Sequence, residues 1–567
     1  MKKELISGSE ALLRTLVAEG VETIFGYPGG AIIPVYDCLY DYQDKLNHVL
    51  VRHEQAATHA AQGYARVSGK VGVALVTSGP AATNAITGIA DAMMDSTPMV
   101  VISGQVNASL LGTDAFQETD VVGITQPITK WAYQVRKPEE IAWAISRAFY
   151  IASTGRPGPV VIDFAKSAQI EMVEYVYRKE SYIRSYQPYP ALEMDKIQQA
   201  ADLINQAQKP FVLVGQGVIL SHAEEALMQL LTKADIPAAE TMLGLSAMPT
   251  DFPLNKGMLG MHGNIGPNMK TNECDVLIAI GMRFDDRVTG DLGTYAKQAK
   301  IIHFDVDPSE IDKNVATDVA VIGDAKASIE AVTALLNKNQ HSEWIASFTC
   351  HEEAEMRGVI QEELYPTSGA IKMGEVVRRV SEATNHDAVL VTDVGQNQMM
   401  AVRYFNYKQT RSVITSGGLG TMGFAIPAAI GAKMAAPERT VCMFSGDGGL
   451  QMTIQEFGTI MQENLNIKMI LLNNSFLGMV RQWQELFYQD RYSATVMDNP
   501  DFIKIADAYR IAGQKVSDRA ELDKAIQTMM EYDGSYLLEV VVEPKGMVYP
   551  MVPAGTCVTN VLMSDKA

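Results

Sequence analysis

Short β-rich runs alternate with longer alanine-rich helical stretches along most of this 567-residue chain. In the first third, predicted strands at 48–52, 71–77 and 99–103 are separated by predicted helices at 54–66 and 81–94. The alternation returns at 211–215, 275–281 and 300–305, and a third time at 388–392, 440–444 and 468–472. Such repeats require parallel sheets that are covered by helices on both faces. We therefore predict an α/β protein built on three doubly wound parallel sheets.

Two stretches without this alternation divide the chain. Residues 174–194 are rich in Tyr, Arg and Pro, and residues 337–369 are polar. The segment after Lys545 has few charges and two prolines, so we expect it to pack over the rest of the chain. These divisions predict domains at 1–180, 190–340 and 365–550, followed by a tail at 551–567.

Charge and cysteine content exclude several classes of protein. Lys and Arg number 47 against 66 Asp and Glu, and the net charge of −19 disfavours nucleic acid or an anionic membrane surface as a partner. No run approaches the ~18 apolar residues of a membrane span, and the amino terminus lacks the apolar core of a secretory signal. The five cysteines show no paired spacing, which is typical of reduced thiols. These features predict a cytoplasmic protein.

The third block carries the most informative pattern. Asp447 lies between glycines directly after a predicted buried strand, and Asn474 follows the next one. Polar groups at the carboxyl ends of neighbouring parallel strands meet at one edge of the sheet. A carboxylate, a carboxamide and a nearby carbonyl suit Mg²⁺, with a ligand's phosphates completing the shell. Two ordinary turn-forming loops are the alternative, but the paired spacing favours a metal and phosphate site.

The segment Gly418-Leu-Gly-Thr-Met-Gly423 matches G-x-G-x-x-G, a motif that binds dinucleotides in other proteins. That motif needs a buried strand directly before its first glycine, and only residues 412–414 form a short β-rich run there. The acid that follows, Asp447, lies between glycines and pairs with the Asn-Asn segment. We therefore reject a nicotinamide site.

The first block contains three candidate loops. Glu54 stands where a strand becomes a helix. Taken alone, it is better explained as an ordinary first-turn acid, favoured by under ~1 kcal/mol, than as a carboxyl that acts on a bound heterocycle. The turn through Pro80 to Asn84 could hold a ring or an anion. Pro28 and Gly29 belong to another tight turn, for which the structural and the functional interpretation are equally good.

The middle block contributes the charged segment 283–287 after an apolar run. Its charges could neutralise one another on the surface, or its arginines could bind an anion through their planar guanidinium groups. Asp305 and Asp324 follow β-rich runs, which fits helix capping or contacts to a ribityl or ribose hydroxyl. In the third block, Met422 lies in a glycine-rich segment, where a soft apolar side chain could brace a ligand.

Together these motifs resemble the catalytic subunits of the acetohydroxyacid synthase (acetolactate synthase) family, which depend on thiamine diphosphate. The resemblance runs essentially end to end and is carried by Gly26-Tyr-Pro-Gly-Gly30, Arg52-His-Glu-Gln55, Ala115-Phe-Gln-Glu118, Gly155-Arg-Pro-Gly-Pro159, Met258-Leu-Gly-Met-His-Gly263, Arg283-Phe-Asp-Asp-Arg-Val-Thr-Gly290, Gly478-Met-Val-Arg-Gln-Trp483 and Val552-Pro-Ala-Gly555. It implies condensation of two pyruvates to 2-acetolactate and CO₂, or of pyruvate with 2-oxobutanoate to 2-aceto-2-hydroxybutanoate, in branched-chain amino-acid biosynthesis. It also implies pyrimidine-binding, FAD-binding and diphosphate-binding domains, in that order.

The resemblance assigns the cofactor contacts. Asp447, Asn474 and the carbonyl of Phe476 would hold Mg²⁺ on the diphosphate. Met422 would brace the cofactor in a bent shape, and Glu54 of a partner subunit would hydrogen-bond the aminopyrimidine and promote deprotonation of the reactive carbon. The other thiamine diphosphate contacts would come from Pro28, Gly29, Pro80, Asn84, Gln396, Asn397, Gly420, Gly448, Gly449, Gly478 and Met479.

Substrate and flavin positions follow from the same resemblance. Arg287 would bind the carboxylate of the acceptor, and Trp483 would shape a pocket that prefers 2-oxobutanoate. Phe116, Gln117 and Lys166 would belong to the active-site entrance and pocket. FAD, which takes no net redox part, would be held by Arg156, Gly215, His262, Gly281, Arg283, Asp305 and Asp324. Active sites between subunits imply a homodimer or tetramer, and feedback control implies a separate small regulatory subunit.

Two positions depart from the family pattern. Gln396 is usually followed by His, whereas Asn397 can donate to a phosphate but cannot titrate near neutral pH, so an acid–base role is not expected there. The position two residues after Asn474 is commonly Glu or His, and Phe476 offers only its backbone carbonyl, which is all that the metal needs.

Related enzymes are the alternatives to this interpretation. A catabolic acetolactate synthase would run similar chemistry without FAD, but the segment 283–287 and Trp483 favour the biosynthetic form. A pyruvate oxidase would pass electrons to FAD, and Arg287 and Trp483, placed for an oxoacid acceptor, argue against it. Glyoxylate carboligase lacks the glutamate that Glu54 supplies.

Overall fold

The computed structural model describes residues 4–564 and contains three six-stranded sheets, in which all neighbouring strands are parallel. In spatial order, the first sheet consists of Asn47–Leu50, Thr23–Gly26, Gly72–Val76, Met99–Gln105, Pro159–Ala165 and Trp131–Val135. The second consists of Asn255–Met258, Ala238–Glu240, Pro210–Val214, Val276–Ile280, Lys300–Asp305 and Val319–Ile322. The third consists of Val413–Ile414, Val389–Thr392, Val441–Gly446, Lys468–Asn473, Tyr536–Val541 and Ala512–Val516. A separate antiparallel pair joins Glu4–Ser7 to Met172–Tyr175.

Helices alternate with these strands along the chain. Those of the first unit are Gly8–Ala18, Ile33–Leu39, Glu54–Ser68, Pro80–Asn84, Ile86–Met94, Val121–Thr125, Ile141–Ser153 and Lys166–Ile170. Those of the second are Met194–Gln206, Gln216–Leu220, Glu224–Ala234, Ile265–Thr271, Asp286–Thr289 and Ala325–Leu335. The connection to the third unit contains Ser342–Ala346, Thr349–Glu355, the π-helix Met356–Ile360 and Gln361–Leu364. The third unit contains Met373–Ala383, Gln396–Tyr404, Ala425–Ala435, Asp447–Met452, Phe457–Gln462, Gly478–Phe487, Phe502–Ala508 and Arg519–Glu531. Short 3₁₀ turns lie at Tyr40–Tyr42, Ala108–Leu110, Gln126–Ile128, Pro138–Glu140, Pro308–Glu310 and Ile454–Glu456.

The prediction of three doubly wound parallel sheets is confirmed. Strands such as Lys468–Asn473 are buried over their whole length, as central strands covered on both faces must be. The predicted helix at 81–94 is instead two helices, Pro80–Asn84 and Ile86–Met94. The stretch at 337–369 is largely helical, because its charges are spaced for helix faces. The domain boundaries themselves stay predictions.

One hydrophobic cluster spans the first and third units, each of which also has a separate buried cluster. The helices Glu54–Ser68 and Ala425–Ala435 approach so closely that neither tolerates a side chain at its glycine. A Cβ at Gly63 would lie 2.1 Å from a carbonyl oxygen of the other helix, and one at Gly431 would lie 1.8 Å from a carbonyl of the first. This packing fixes the helix that begins at Glu54 relative to the third sheet.

The carboxy-terminal segment packs over the second and third units, as predicted. The backbone N–H of Val548 donates to the side-chain oxygen of Gln482 at 2.9 Å. Val552 donates to the carbonyl of Met261 at 2.8 Å, and Met551 pairs with Leu562 in an antiparallel bridge. No helix between residues 4 and 564 is long and apolar enough to cross a membrane.

Candidate functional site

The carboxyl edge of the third sheet brings the predicted metal ligands together. Asp447 follows the strand Val441–Gly446, and Asn474 follows the adjacent parallel strand. Both side chains are buried, at 1 % and 4 % exposure. The amide of Asn499 donates to the Asp447 carboxylate at 2.6 Å and to the side-chain oxygen of Asn473 at 3.2 Å, so it ties the two strand ends together.

The predicted diphosphate contacts surround this pair. Asn474 Nδ2 donates to Gln396 Oε1 at 3.2 Å, and the backbone N–H of Phe476 donates to Asn474 Oδ1 at 3.2 Å. A Cβ at Gly478 would lie 2.2 Å from Gln396 Oε1, and one at Gly448 would lie 3.5 Å from Met422 Cε. Gly478 therefore lets the side chains of Gln396 and Asn474 pack directly against the start of its helix, and Met422 lies in contact with Gly448.

Two buried groups here favour a charged ligand. Burial raises the pKa of the Asp447 carboxyl above its ordinary value, and the Asn499 amide partly offsets this. Asn397 Oδ1 is buried and has no hydrogen-bond partner among the residues that the structure describes. Nδ2 of the same amide donates to the carbonyl of Val394 at 3.5 Å, so the unpaired atom is a hydrogen-bond acceptor. It fits a ligand that supplies a donor or a cation, since buried polar groups are normally satisfied.

The metal ligands would be oxygens of different kinds. Within residues 4–564, no group of three or more His, Cys, Asp and Glu side chains could hold a metal ion. The candidate set is one carboxylate (Asp447), one amide oxygen (Asn474) and one carbonyl (Phe476), which suits Mg²⁺ when diphosphate oxygens complete the shell.

Three structural supports escaped the sequence analysis. Asn499 lies in an irregular segment, and no local pattern marks it. Asp393 directly follows the strand Val389–Thr392, so the rule that located Asp447 could have located it. Its carboxylate accepts hydrogen bonds from the backbone N–H groups of Gly423, Ala425 and Val394. Burial raises the pKa of Asp393 to about 6. Glu456 accepts two hydrogen bonds from the backbone N–H of Arg52, at 3.0 and 3.1 Å, and so holds the turn that leads to Glu54.

The carboxyl edge of the first sheet gathers the candidates of the first block. Asn84 Nδ2 donates to Glu54 Oε2 at 2.9 Å. Lys166 Nζ donates at 2.9 Å to the carbonyl of Gly30, in the turn that contains Pro28 and Gly29.

Gln117 adopts a positive φ of 61° and lies against the neighbouring turn that leads to Pro80. A Cβ at Gly79 would be 2.7 Å from its carbonyl oxygen. The adjacent Phe116 is 88 % exposed, and Asn84 and Pro80 are exposed as well. This edge therefore presents polar and aromatic groups on the surface of the single chain.

A third cluster lines a cavity of about 800 Å³ between the three units. Six of the seven predicted flavin contacts line it, namely Arg156, His262, Gly281, Arg283, Asp305 and Asp324. It is also lined by Arg287, Gly420, Met479 and Trp483, which the sequence assigned to the acceptor and to the thiamine cofactor. Glu54, Gln117 and Asp447 lie outside this lining.

The cavity wall contains closely packed glycines and buried polar groups, one of them without a partner in the described part of the chain. Gly281 has a φ of +57°. A Cβ added at Gly217 would lie 2.6 Å from the Cα of Gly281, and one added at Gly215 would lie 2.2 Å from the Gly281 carbonyl oxygen. His262 Nδ1 is buried without a partner among residues 4–564. Burial raises the pKa of Asp305 to about 7. Such orphaned and desolvated groups fit a large polar ligand.

Arginines supply positive charge along this wall. Arg156 Nη1 pairs with Glu310 at 2.7 Å and with Asp307 at 3.3 Å, so it is held in place. Arg287 is 57 % exposed, and its Nη1 lies 3.8 Å from the sulfur of Met261, which leaves the guanidinium accessible to an anion.

Comparison with known proteins defines the class. Three family models match, described as thiamine pyrophosphate enzyme N-terminal TPP binding domain over residues 6–124, central domain over 197–332 and C-terminal TPP binding domain over 393–540. With its three parallel-sheet units, the chain is thus a thiamine-diphosphate-dependent enzyme.

Full-length relatives narrow the class. The chain is 44 % identical to the acetolactate synthase isozyme 2 large subunit of Escherichia coli (strain K12), over 98 % of this chain and 99 % of that protein. It is 43 % identical to the acetolactate synthase large subunit of Haemophilus influenzae (100 % and 99 % covered) and to the probable acetolactate synthase large subunit of Methanocaldococcus jannaschii (98 % and 95 % covered). The chain belongs to the family of acetolactate synthase large subunits.

Proposed function

We propose that this acetolactate synthase large subunit joins two pyruvates into 2-acetolactate, or pyruvate and 2-oxobutanoate into 2-aceto-2-hydroxybutanoate, at a site shared by two copies of the chain. The observation that carries the shared site is the separation of the clusters. Arg287, Trp483 and Gly420 meet in one cavity, whereas Glu54 lies outside its lining. Asp447 is also outside that lining, but it belongs to the same unit as Gly420 and Trp483, whereas Glu54 belongs to the first unit, at the carboxyl edge of its sheet beside the exposed Pro80 and Asn84. A second copy that covers this edge would bring Glu54 to the cofactor, so the working unit is at least a homodimer.

Thiamine diphosphate, when bound, supplies the reactive thiazolium carbon and the electron sink that decarboxylation of a 2-oxoacid requires. Asp447, Asn474 and the Phe476 carbonyl hold Mg²⁺ against its diphosphate. Asn397 offers its amide to a phosphate oxygen, and Met422 supports the middle of the cofactor.

Glu54 is the proposed acid–base group for activation of the cofactor. Its carboxylate already accepts a hydrogen bond from Asn84, which orients it at the start of its helix. Hydrogen-bonded to a ring nitrogen of the cofactor's aminopyrimidine, it would share a proton with that nitrogen and thereby promote loss of the proton from the reactive carbon.

Arg287 and Trp483 select the acceptor. The accessible guanidinium of Arg287 binds a carboxylate through its planar fork, and Trp483 provides the apolar wall of the same cavity. Gln117, Lys166 and Phe116, which lie at the first sheet's edge, would reach this pocket from the partner subunit.

FAD is proposed for the rest of the cavity. Arg283 and Arg156, the latter held by Glu310 and Asp307, offer guanidinium N–H donors to its diphosphate. Asp305 and Asp324 offer carboxylates to its hydroxyl groups. The unpaired His262 nitrogen in the cavity wall fits such a ligand. A separate small regulatory subunit and a cytoplasmic location complete the proposal.

Product analysis tests this function. The purified chain is incubated with pyruvate, 2-oxobutanoate, thiamine diphosphate and Mg²⁺, with and without FAD, and the products are identified by mass. We expect both acetohydroxyacids, formed only when FAD is present. Acetolactate without any need for FAD would indicate the catabolic enzyme, and acetate or acetyl phosphate with peroxide would indicate an oxidase and refute the roles of Arg287 and Trp483.

Replacing Trp483 with Leu is expected to lower the preference for 2-oxobutanoate over pyruvate by about tenfold, which is within the range that one methylene contact supplies. The smaller side chain leaves the ethyl group of the acceptor without its apolar wall. The ratio of the two products in competition measures the effect, and Trp143→Leu, at an exposed tryptophan of the first unit, is the matched control. An unchanged ratio in Trp483→Leu would contradict the assignment.

A further inference from the structure

The loop that carries Gly420 and Met422 is held by carboxylates from another unit of the same chain. Asp95 Oδ2 accepts the backbone N–H of Gly417 at 2.8 Å, and its Oδ1 accepts that of Gly418 at 2.6 Å. Asp95 follows the helix Ile86–Met94 of the first unit and is 1 % exposed. Both oxygens of a buried carboxylate are thus used to shape the start of this loop.

Asp91, one helical turn earlier, holds the same loop at a second place. Its Oδ1 accepts hydrogen bonds from the hydroxyls of Ser416 and Thr421. The Ser416 hydroxyl also accepts the backbone N–H of Thr421 at 2.8 Å, which closes the loop onto itself. Asp91 and Ser416 are fully buried, and the other carboxylate oxygen of Asp91 has no hydrogen-bond partner among the described residues.

Arg66 completes the network from the helix that begins at Glu54. It donates to Asp95 Oδ2 at 2.8 Å and to the carbonyl of Thr415. Two carboxylates and one guanidinium are therefore buried together, although burying charges is costly and a hydrophobic contact would join the units at lower cost. Such an arrangement is expected where the exact path of a backbone segment matters.

We propose that Asp91 and Asp95 are positioning residues that set the path of loop 416–421 and thereby the placement of Met422 under the thiamine cofactor. This inference rests on the proposed function, in which Met422 braces the cofactor and the site is shared between subunits. It adds that each chain's first unit serves two sites. Its Asp91 and Asp95 act on the loop of their own chain, while its Glu54 acts in the site of the partner.

Mixed dimers test this division of labour. A Glu54→Gln chain and an Asp95→Asn chain, each with a different affinity tag, are co-expressed. The heterodimer is then isolated by purification on both tags. In Asp95→Asn the amide oxygen can keep the hydrogen bonds from Arg66 and Gly417, which places the amide donor opposite the N–H of Gly418. Its homodimer should therefore be slowed by roughly 100-fold, the scale expected for a small misplacement of reacting groups. In the heterodimer one site combines both changes, whereas the other has an intact Glu54 and an intact Asp95. We expect that heterodimer to recover half of the wild-type activity.

A control pair separates this inference from the proposed function. The heterodimer of Glu54→Gln with Asp447→Asn recovers activity if the site is shared at all. If the control recovers and the Asp95 pair does not, Asp95 does not act on the loop of its own chain, and the inference is wrong. If neither recovers, the shared site itself is wrong. A fully active Asp95→Asn homodimer would also overturn the inference.

A measurement without substrate tests the placement of the cofactor independently of turnover. Exchange of the C2 proton of bound thiamine diphosphate, followed by NMR after quenching, reports cofactor placement directly. We expect exchange to slow by roughly tenfold or more in Asp95→Asn and in Asp91→Asn, at saturating cofactor. Asp91→Asn leaves the Arg66–Asp95 pair intact, so this variant can be used to test the positioning role if Asp95→Asn does not fold. Exchange at the wild-type rate in a folded variant, saturated with cofactor, would refute the positioning role.

Discussion

Replacing Glu54 with Gln is expected to slow turnover by about 10²- to 10⁴-fold, the contribution of a positioned general acid–base group. The side-chain oxygen of Gln can still accept the hydrogen bond that Asn84 donates to Glu54 Oε2 at 2.9 Å, so the local structure should persist. Only the ability to take and return a proton is removed. Steady-state kcat measures the loss, and calorimetry should show an affinity for thiamine diphosphate close to that of the wild type.

Glu521→Gln is a suitable control for this variant. Glu521 also lies in the first turn of a helix, Arg519–Glu531, but it is exposed and distant in sequence from every candidate site residue. We expect its kcat to match the wild type. Wild-type turnover in a folded Glu54→Gln enzyme would show that Glu54 is merely a favourable acid at a helix start.

Asp447→Asn should reduce Mg²⁺-dependent binding of thiamine diphosphate by more than about 100-fold, since loss of outer-shell partners alone costs 10- to 100-fold in metal sites. The substitution keeps the size of the side chain and its hydrogen bond from Asn499, but it removes the negative charge. Titration calorimetry with and without Mg²⁺ measures the effect. Asp202→Asn, at an exposed aspartate of the second unit, should bind the cofactor as the wild type does.

Asp447→Asn should not destabilise the cofactor-free protein at neutral pH. Because burial raises the pKa of Asp447, the folded state binds its proton more tightly than the unfolded state does. Above the unfolded pKa the ionised carboxylate therefore costs stability, and Asn removes that cost. Thermal unfolding at neutral pH should give a Tm equal to or above that of the wild type. Undiminished cofactor binding would contradict the metal role, whereas a large fall in Tm would indicate a structural one.

The class of fold and the proximity of Asp447 to Asn474 could be predicted from local sequence. Alternation of strand and helix leaves parallel sheets as the only way to bury both faces of each strand. Asp447 and Asn474 were predictable for a related reason, because the carboxyl ends of adjacent parallel strands lie at the same edge. Asp393 follows the same rule and could have been found by it.

Other parts of the site have no local signal. Asn499 reaches Asp447 from an irregular segment, and Asp91 and Asp95 reach loop 416–421 from a different unit. The predicted helix at 81–94 is divided in the structure, which sequence periodicity does not reveal. The roles of Glu54 and Arg287 came from the resemblance to a family, since each residue taken alone was explained at least as well by an ordinary structural role.

The sequence by itself determined the three wound sheets, the placement of Asp447 and Asn474 at neighbouring strand ends, and membership of the acetolactate synthase family. The tertiary structure alone decided that Arg287, Trp483 and the flavin candidates share one cavity, and that Glu54 lies apart from it. The physical reason is the range of the interactions. Strand ends are set by hydrogen-bonding registers a few residues long, whereas the cavity and the loop supports depend on how three separately formed sheets pack against one another.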